Sequence, residues 1–262
     1  MKTIVKLAAG LALIATTGSP LLARTYSDAI EPGENNARFI VGAGITGYQG
    51  IFEGQNGDAG MSLNVQYNGD RFFIDNDSLN WSAMQVENCS FGFTLRGNHS
   101  YLSDADNFDD NRELAGIRER DVSVDAGIWF NHTTETGRLH LSLLTDAGGK
   151  HHGHSATVSY RFDMNAGNWH VNPGVAAQWL SKDLVDHHFG VSNLETTATR
   201  TAYQGDSAIS LSAGIDSRYA LSEHWDFTTS AGVQWFSDGI GDSSVVARQT
   251  NYFANIGINY NF

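Results

Sequence analysis

Histidines give this 262-residue sequence its clearest chemical capacity, in two tight groups, His151-His152-Gly153-His154 and His187-His188. Neutral imidazoles two or three positions apart can share a transition-metal ion. No cysteine stands beside either group and a glycine separates the ligands, so polar loop decoration is a better account than a metal centre. Asp104, Asp106, Asp109 and Asp110 have the carboxylate density of a calcium loop, but Gly is missing at the sixth position and Glu at the twelfth. A solvated acidic loop, able to meet divalent-bridged lipopolysaccharide, is the expectation there. His140, His170 and several serines supply the parts of a nucleophile and its base. A lipid-modifying enzyme would need them on a lipid-facing surface, whereas the alternation described below puts them on the opposite face or in loops. No catalytic, cofactor-binding or metal-ligating residue is assigned, and the chain is expected not to be an enzyme.

The elements that must carry these residues show period two. In the closing stretch, Tyr252, Ala254, Ile256, Ile258, Tyr260 and Phe262 alternate with Phe253, Asn255, Gly257, Asn259 and Asn261, the pattern of a strand whose faces see different solvents. Phe39, Val41, Ala43 and Ile45 open the series. Met61 to Tyr67, Phe91 to Leu95, Val122 to Phe130, Leu139 to Leu143, Ala156 to Phe162, Trp169 to Trp179, Ile209 to Tyr219 and Trp225 to Trp235 continue it. Asn68-Gly69 has the composition of a two-residue hairpin turn. Pro173 lacks a ladder donor, so a bulge or break is expected at its position. The connections near 48–58, 97–119, 148–154, 181–206 and 238–248 are long and polar and would share one side. Trp and Tyr residues gather toward strand ends, as girdles do at the two membrane interfaces.

These features predict an all-β fold, an antiparallel transmembrane β-barrel of about 12 strands with short periplasmic turns and longer extracellular loops. A soluble sandwich or lipocalin-like barrel would also alternate, but its oily face would lie inside and would need no terminal aromatics. Mean hydropathy is -0.29, and beyond the N-terminus no run approaches the ~20 apolar residues of a membrane helix. Residues 1–23, with Lys2 and Lys6 ahead of Leu7 to Ala15, read as a secretory signal peptide, which leaves 24–262 as the barrel in the outer membrane. The 29 acidic against 16 basic residues give a net charge of -13, which argues against nucleic-acid partners. Cys89 stands alone, so no intrachain disulfide forms. Inward-facing charges, read as Asp121, Asp125, Arg161, Asp163, Asp216, Arg218 and Asp226, would either line a pore or pair to plug it.

Several loop segments resemble the MipA/OmpV family of outer-membrane proteins: Gly47-Tyr48-Gln49-Gly50, Asp109 to Gly116, Asp146 to Gly153, Asp186 to Ser192 with Ala202-Tyr203-Gln204-Gly205, and the closing Tyr260-Asn261-Phe262. Asp242-Ser243-Ser244-Val245-Val246 departs from the family's usual Ser-Pro pattern. The resemblance implies a non-enzymatic outer-membrane barrel without cofactor, surrounded by outer-membrane lipid and lipopolysaccharide. It further implies a scaffold, with a lytic transglycosylase and a murein synthase as partners. The alternative is a small-solute porin.

Overall fold

The computed structural model describes residues 39–104 and 111–262. The signal segment 1–23 and three members of the acidic run, Asp106, Asp109 and Asp110, lie outside the described residues. Thirteen strands form one sheet: β1 (Phe39–Tyr48), β2 (Asp58–Asn68), β3 (Phe72–Asp75), β4 (Ser78–Val86), β5 (Cys89–Asn98), β6 (Ser123–Thr134), β7 (Gly137–Asp146), β8 (His154–Phe162), β9 (Met164–Ala166), β10 (Trp169–Leu180), β11 (Ala208–Ala220), β12 (Trp225–Phe236) and β13 (Thr250–Asn261). Neighbours in sequence pair antiparallel, and the sheet closes where β13 meets β1, from Ile40↔Asn261 to Tyr48↔Phe253. β8 and β9 are one stave interrupted at Asp163, so the molecule is a closed twelve-strand barrel. Closure leaves the seam no free edge, the condition for spanning a bilayer with strands.

The two faces divide as the alternation predicts. Val41, Ile45, Leu63, Phe93, Leu143, Val158, Leu211 and Ile258 are exposed on the outside, where lipid would cover them, while Thr46, Asn80, Thr94, Asn131, Ser142, Ser159 and Gln234 are buried within. The inner polar groups satisfy one another across the seam. Asn255 Nδ2 donates to Thr46 Oγ1 at 2.6 Å and Ser62 Oγ at 2.8 Å, and Asn64 Nδ2 donates to Asn259 Oδ1 at 3.2 Å. At the periplasmic end Phe39, Phe262, Tyr260 and Trp225 form a chain of ring contacts, with centroids 4.7 to 5.6 Å apart. This is the expected aromatic girdle.

Several expectations are corrected by the pairing. The first short turn is not Asn68-Gly69: Asn68 pairs with Phe73 and Gly69 N–H donates to Phe72 O, so Asp70-Arg71 makes the bend. Pro173 does not break its own strand, which pairs with β11 without interruption from Trp169 to Leu180. The break falls on the other neighbour. Pairing with β8 ends at Gly174↔Arg161 and resumes with β9 at Val171↔Met164, the gap being spanned by Asn172 Nδ2 to Phe162 O and Asp163 Oδ1. Proline therefore sits where no ladder donor is used. Of the charges read as inward, Asp121 is exposed ahead of β6 and pairs with Lys150 at 3.0 Å, and Asp163 is exposed where β8 and β9 part, accepting from Asn172 Nδ2.

The connections read as irregular contain structure. Lys182–Phe189 is a helix, α1, and Asp238–Gly241 a single turn, α2. α1 carries Leu184, Val185, His188 and Phe189 on its buried side, and Gly153 lets it dock, since a Cβ there would stand 2.6 Å from Leu184 N. Four loops supply one apolar core: Ile51 and Phe52 after β1, Leu102, Leu114 and Ile117 after β5, Leu184 to Val191 after β10, and Ile240 to Val246 after β12. Phe52 stacks on Phe189 at 5.8 Å and on Tyr101 at 5.2 Å, and it bridges to Val246. These loops leave the barrel from four sectors of its circumference, so their shared core spans the extracellular mouth.

One stave is unlike the others. β3 is four residues long and returns through the tight turn Asn76-Asp77, with Asn76 at φ +32, a conformation Asn tolerates. This turn lies on the side of the long loops but well short of the rim. β2 therefore pairs with β1 from Asp58 to Tyr67 and with β3 only from Gln66 to Asn68.

Candidate functional site

Beneath the loop core, strand ends β5, β6 and β7 bring together the polar groups with the greatest chemical capacity. The local sequence explains how. Asp146 ends β7 and accepts four backbone N–H groups, from Gly148 and Gly149 on Oδ1 and from His151 and His152 on Oδ2, each at 2.7 to 2.8 Å. This wraps 147–152 into a compact loop and turns His151 inward. His151 Nε2 lies 2.8 Å from Asp125 Oδ1, while Gly153 N–H donates to Nδ1 at 3.0 Å. The second bond requires Nδ1 to be the acceptor, so Nε2 carries the proton and donates it to Asp125. Asn98 Nδ2 donates to Asp125 Oδ2 at 2.8 Å, and Asn98 Oδ1 is 2.9 Å from His188 Nε2 on α1. A continuous polar chain thus runs from the barrel wall into the loop helix. Burial holds both His188 and His187 below the ordinary imidazole range, so the helix meets this chain with neutral rings.

The sequence groups are redistributed. His151 is buried, but its neighbours His152 and His154 are exposed, so these three do not converge on one point. His187 and His188 approach His151 instead, with ring centroids 5.7 and 6.4 Å away. Ligand atoms of Asp125, Asp146 and His151 lie within 4.8 Å of one another, the spacing that could suit a cation. These ligand atoms are already hydrogen-bonded, however. Asp146 has four backbone donors, Asp125 has two, and both His151 nitrogens are bonded, so a cation would have to break bonds that hold the loop. The donor set fits a structural network better than a metal centre. Asp104 is half-buried, and the rest of the acidic run read as a cation loop lies outside the described residues.

A second network locks the loops to each other. Glu195, 3% exposed, accepts from Arg118 N–H and Arg120 Nη1 at 3.0 Å on Oε1, and from Ser192 N–H and Oγ at 2.8 and 2.7 Å on Oε2. Arg200 donates to the carbonyls of Glu195, Glu113 and Ala115, each at 2.8 Å. Burial pushes the Glu195 carboxyl up, but the hydrogen bonds from Arg118 and Ser192 and the charge of Arg120 outweigh it and hold the group at about 2.

Inside the barrel a small cavity has an apolar floor of Phe73, Trp129 and Leu144 under the polar groups Arg96, Asn131 and His140. Trp129, 3% exposed, meets Phe73 edge-on at 5.6 Å and donates Nε1–H to Phe93 O. Gly92 makes room for the ring, since a Cβ there would overlap Trp129 and Trp81 O. His140 Nδ1 is bonded to Asn131 Oδ1 at 2.6 Å, so this nitrogen is engaged within the lumen wall. Sequence reasoning passed over Asn98 and Trp129, whereas His188 was weighed, with His187, as a metal ligand. Trp129 alone left a signal, a large aromatic at an inward step of the alternation.

A family profile described as MltA-interacting protein MipA matches residues 41–262. The outer membrane protein OmpV of Vibrio cholerae is 23% identical over 248 residues, covering 94% of this chain and 95% of that protein. The MltA-interacting protein of Escherichia coli strain K12 is 21% identical over 226 residues, covering 86% and 90%. Among solved structures, an outer membrane channel of Pseudomonas putida F1 aligns over 89% of this chain and 100% of its own, at 11% identity and a TM-score of 0.43. With its closed twelve-strand barrel and a profile match across nearly all described residues, the chain is an outer-membrane protein and belongs to the MltA-interacting protein MipA family.

Proposed function

We propose that this barrel is an interaction protein of the cell envelope rather than a diffusion pore for hydrophilic solutes, and that a murein-cleaving transglycosylase is among its partners. The observation that carries the first half is the loop core: Phe52, Leu102, Leu114, Phe189 and Ile240, drawn from four connections, pack across the mouth through which a polar solute would enter. A porin keeps that passage lined by polar and charged groups. Support for the partner comes from the relatives named MltA-interacting protein, which cover 90% of their own length in the match. The reading needs no catalytic group, and the polar chain through Asp125 and His151 serves it by fixing the loops.

Two measurements on the purified full chain test it. Planar bilayers should stay silent at moderate voltage, and a purified lytic transglycosylase should be retained by the immobilised barrel, with release by excess free barrel. Steady channel openings would favour the small-solute porin and overturn the pore-free reading. Absence of retention would remove the transglycosylase as partner.

A further inference from the structure

The imidazoles at the junction of cap and barrel help to seat α1, and their chemistry makes that seating depend on pH. His188 is 1% exposed on the inner side of α1, and three other histidines approach it from different directions. His187 precedes it with ring centroids 5.0 Å apart, His151 of the 147–152 loop lies 6.4 Å away, and His99, which follows β5, acts on it electrostatically. Arg120, ahead of β6, adds a permanent positive charge and is held in place by Glu195 at 3.0 Å. No carboxylate bonds to His188 among the described residues. Asp125 stands beyond Asn98, and Asp121 meets His187 Nε2 through its carbonyl at 3.1 Å while its carboxylate pairs with Lys150. On α1 itself Asp183 is exposed and Asp186 accepts from Gly205 N–H; on α2, Asp238 is bonded to Gln249 Nε2 and Asp242 lies near Tyr203.

A second proton has no good place on the His188 ring. Asn98 gives its amide N–H to Asp125, so its Oδ1 accepts and His188 Nε2 is the donor. A proton added to His188 would go to Nδ1, which is shut off from water and has no hydrogen-bond partner among the described residues. The new charge would be buried beside Arg120 and the other imidazoles. Burial first, then the neighbouring His187, His151, His99 and Arg120, hold His188 well below the ordinary imidazole value of 6.5, and burial lowers His187 against the opposing pull of Asp121. Released into water, both rings regain that ordinary value. Below it the released helix binds protons that the seated helix refuses, so the hold on α1 is complete above pH 6.5 and weakens as pH falls. Glu195, with its carboxyl at about 2, stays charged through the first part of this fall, so the outer loops remain tied while the helix loosens. What leaves with α1 is the part of the cap built from Leu184, Val185 and Phe189, the last stacked on Phe52 at 5.8 Å.

We infer that His188, with His187 and His151 beside it, is an acid-sensitive latch that seats α1 over the extracellular mouth at neutral pH and releases it in a mildly acidic medium. The latch rests on the capped-mouth reading proposed above and adds the condition under which the cap opens. The test follows amide hydrogen exchange of 182–189 in the full chain, held in phosphatidylcholine nanodiscs, from pH 7.5 to pH 4, with intrinsic exchange rates divided out. Protection of the helix should fall by up to about tenfold per pH unit below 6.5 for each ring that charges only on release, while β6 and β7 keep theirs. His188→Gln retains a donor for Asn98 Oδ1 and cannot charge, so its protection should stay level down to pH 5. His152→Asn, at an exposed ring, should follow the native chain. Constant protection of the native helix down to pH 4.5 would overturn the latch, and so would an equal fall in His188→Gln. Where the glutamine fails to seat the helix, the native titration still decides, because a loss that begins only below pH 4.5 belongs to carboxyls and sinks the proposal. Planar bilayers at pH 7.5 test the cap by itself: openings there would overturn the cap, whereas silence there with level protection would overturn the latch alone.

Discussion

At the scale of single residues, Glu195 makes the sharpest statement about pH. Its folded pKa, about 2, lies below the ordinary carboxyl value of 4.5, so its contribution is fully present above that ordinary value and is lost as pH falls toward 2. The shift corresponds to about 3 kcal/mol. Limited proteolysis should therefore begin to cut 111–120 and 190–200 between pH 4.5 and 2 while the strands stay resistant, and Glu195→Gln should show the same cuts at pH 7. If loop cutting tracked barrel melting at every pH, Glu195 would not be the lock. The His151 cluster makes the opposite kind of prediction. Because its lone pairs are engaged by Gly153 N–H, Asn98 and the 147–152 backbone, added zinc or EDTA should leave loop protection unchanged, and a zinc-dependent gain would contradict the bonding described. The histidines were visible in the sequence and their partners were not. Asp125 lies 26 positions from His151, Asn98 lies 90 from His188, and no local pattern links residues that meet only when staves align.

Elements were easier to read than sites, because a strand between lipid and a polar lumen must alternate at every step. Thus Tyr252 to Phe262 and Phe39 to Ile45 fall on their expected faces and pair with each other. The faces can be tested by charge: Ile258→Arg points a guanidinium into lipid and should cost ~2–4 kcal/mol, whereas Asn259→Arg enters the lumen and should cost much less. Urea midpoints followed by heat-modifiable gel shift separate the two, and equal losses would refute the assigned faces. What composition hid was local geometry. Asn68-Gly69 has turn chemistry but the bend falls at Asp70-Arg71, because the register that keeps Tyr67 outward and Phe73 inward outranks local propensity. α1 was hidden for a related reason: Lys182–Phe189 is only two turns long, and packing on Gly153 stabilises it more than its own periodicity does. Gly153→Ala would force Leu184 away and should loosen the helix by about 1–3 kcal/mol, read as faster exchange of its amides with no change in the strands.

For the whole molecule, the decisive relation is between the barrel and the loop core that covers its mouth. Removing rings from that core separates the two. Phe189→Ala alone should cost about 3–5 kcal/mol of cap stability because the ring is fully buried, and the pair Phe52→Ala with Phe189→Ala should introduce conductance steps in planar bilayers that otherwise stay silent. Silence in the double variant, with loops shown to be open by proteolysis, would place the barrier in the lumen instead. Fold and membrane were legible because lipid, water and the ladder impose the same rule on every stave. The cap was not, because Ile51, Leu114, Val185 and Ile240 lie in loops whose apolar residues follow no period.

The seam between β1 and β13 carries a different consequence, one of timing. Asn255 and Thr46 bond across it although 209 positions separate them, while the other staves are joined through turns or single loops. Bringing such distant segments together costs roughly 5 kcal/mol of chain entropy before any hydrogen bond forms. Local hairpins zip on a microsecond scale without that cost. The seam should be the last ladder to form, so the nascent barrel passes through an open sheet whose two bare edges, β1 and β13, invite pairing with other chains. Assembly of this protein is therefore a race between joining its own edges and aggregating, and a catalyst that holds β13 near β1 would act on the step that decides it.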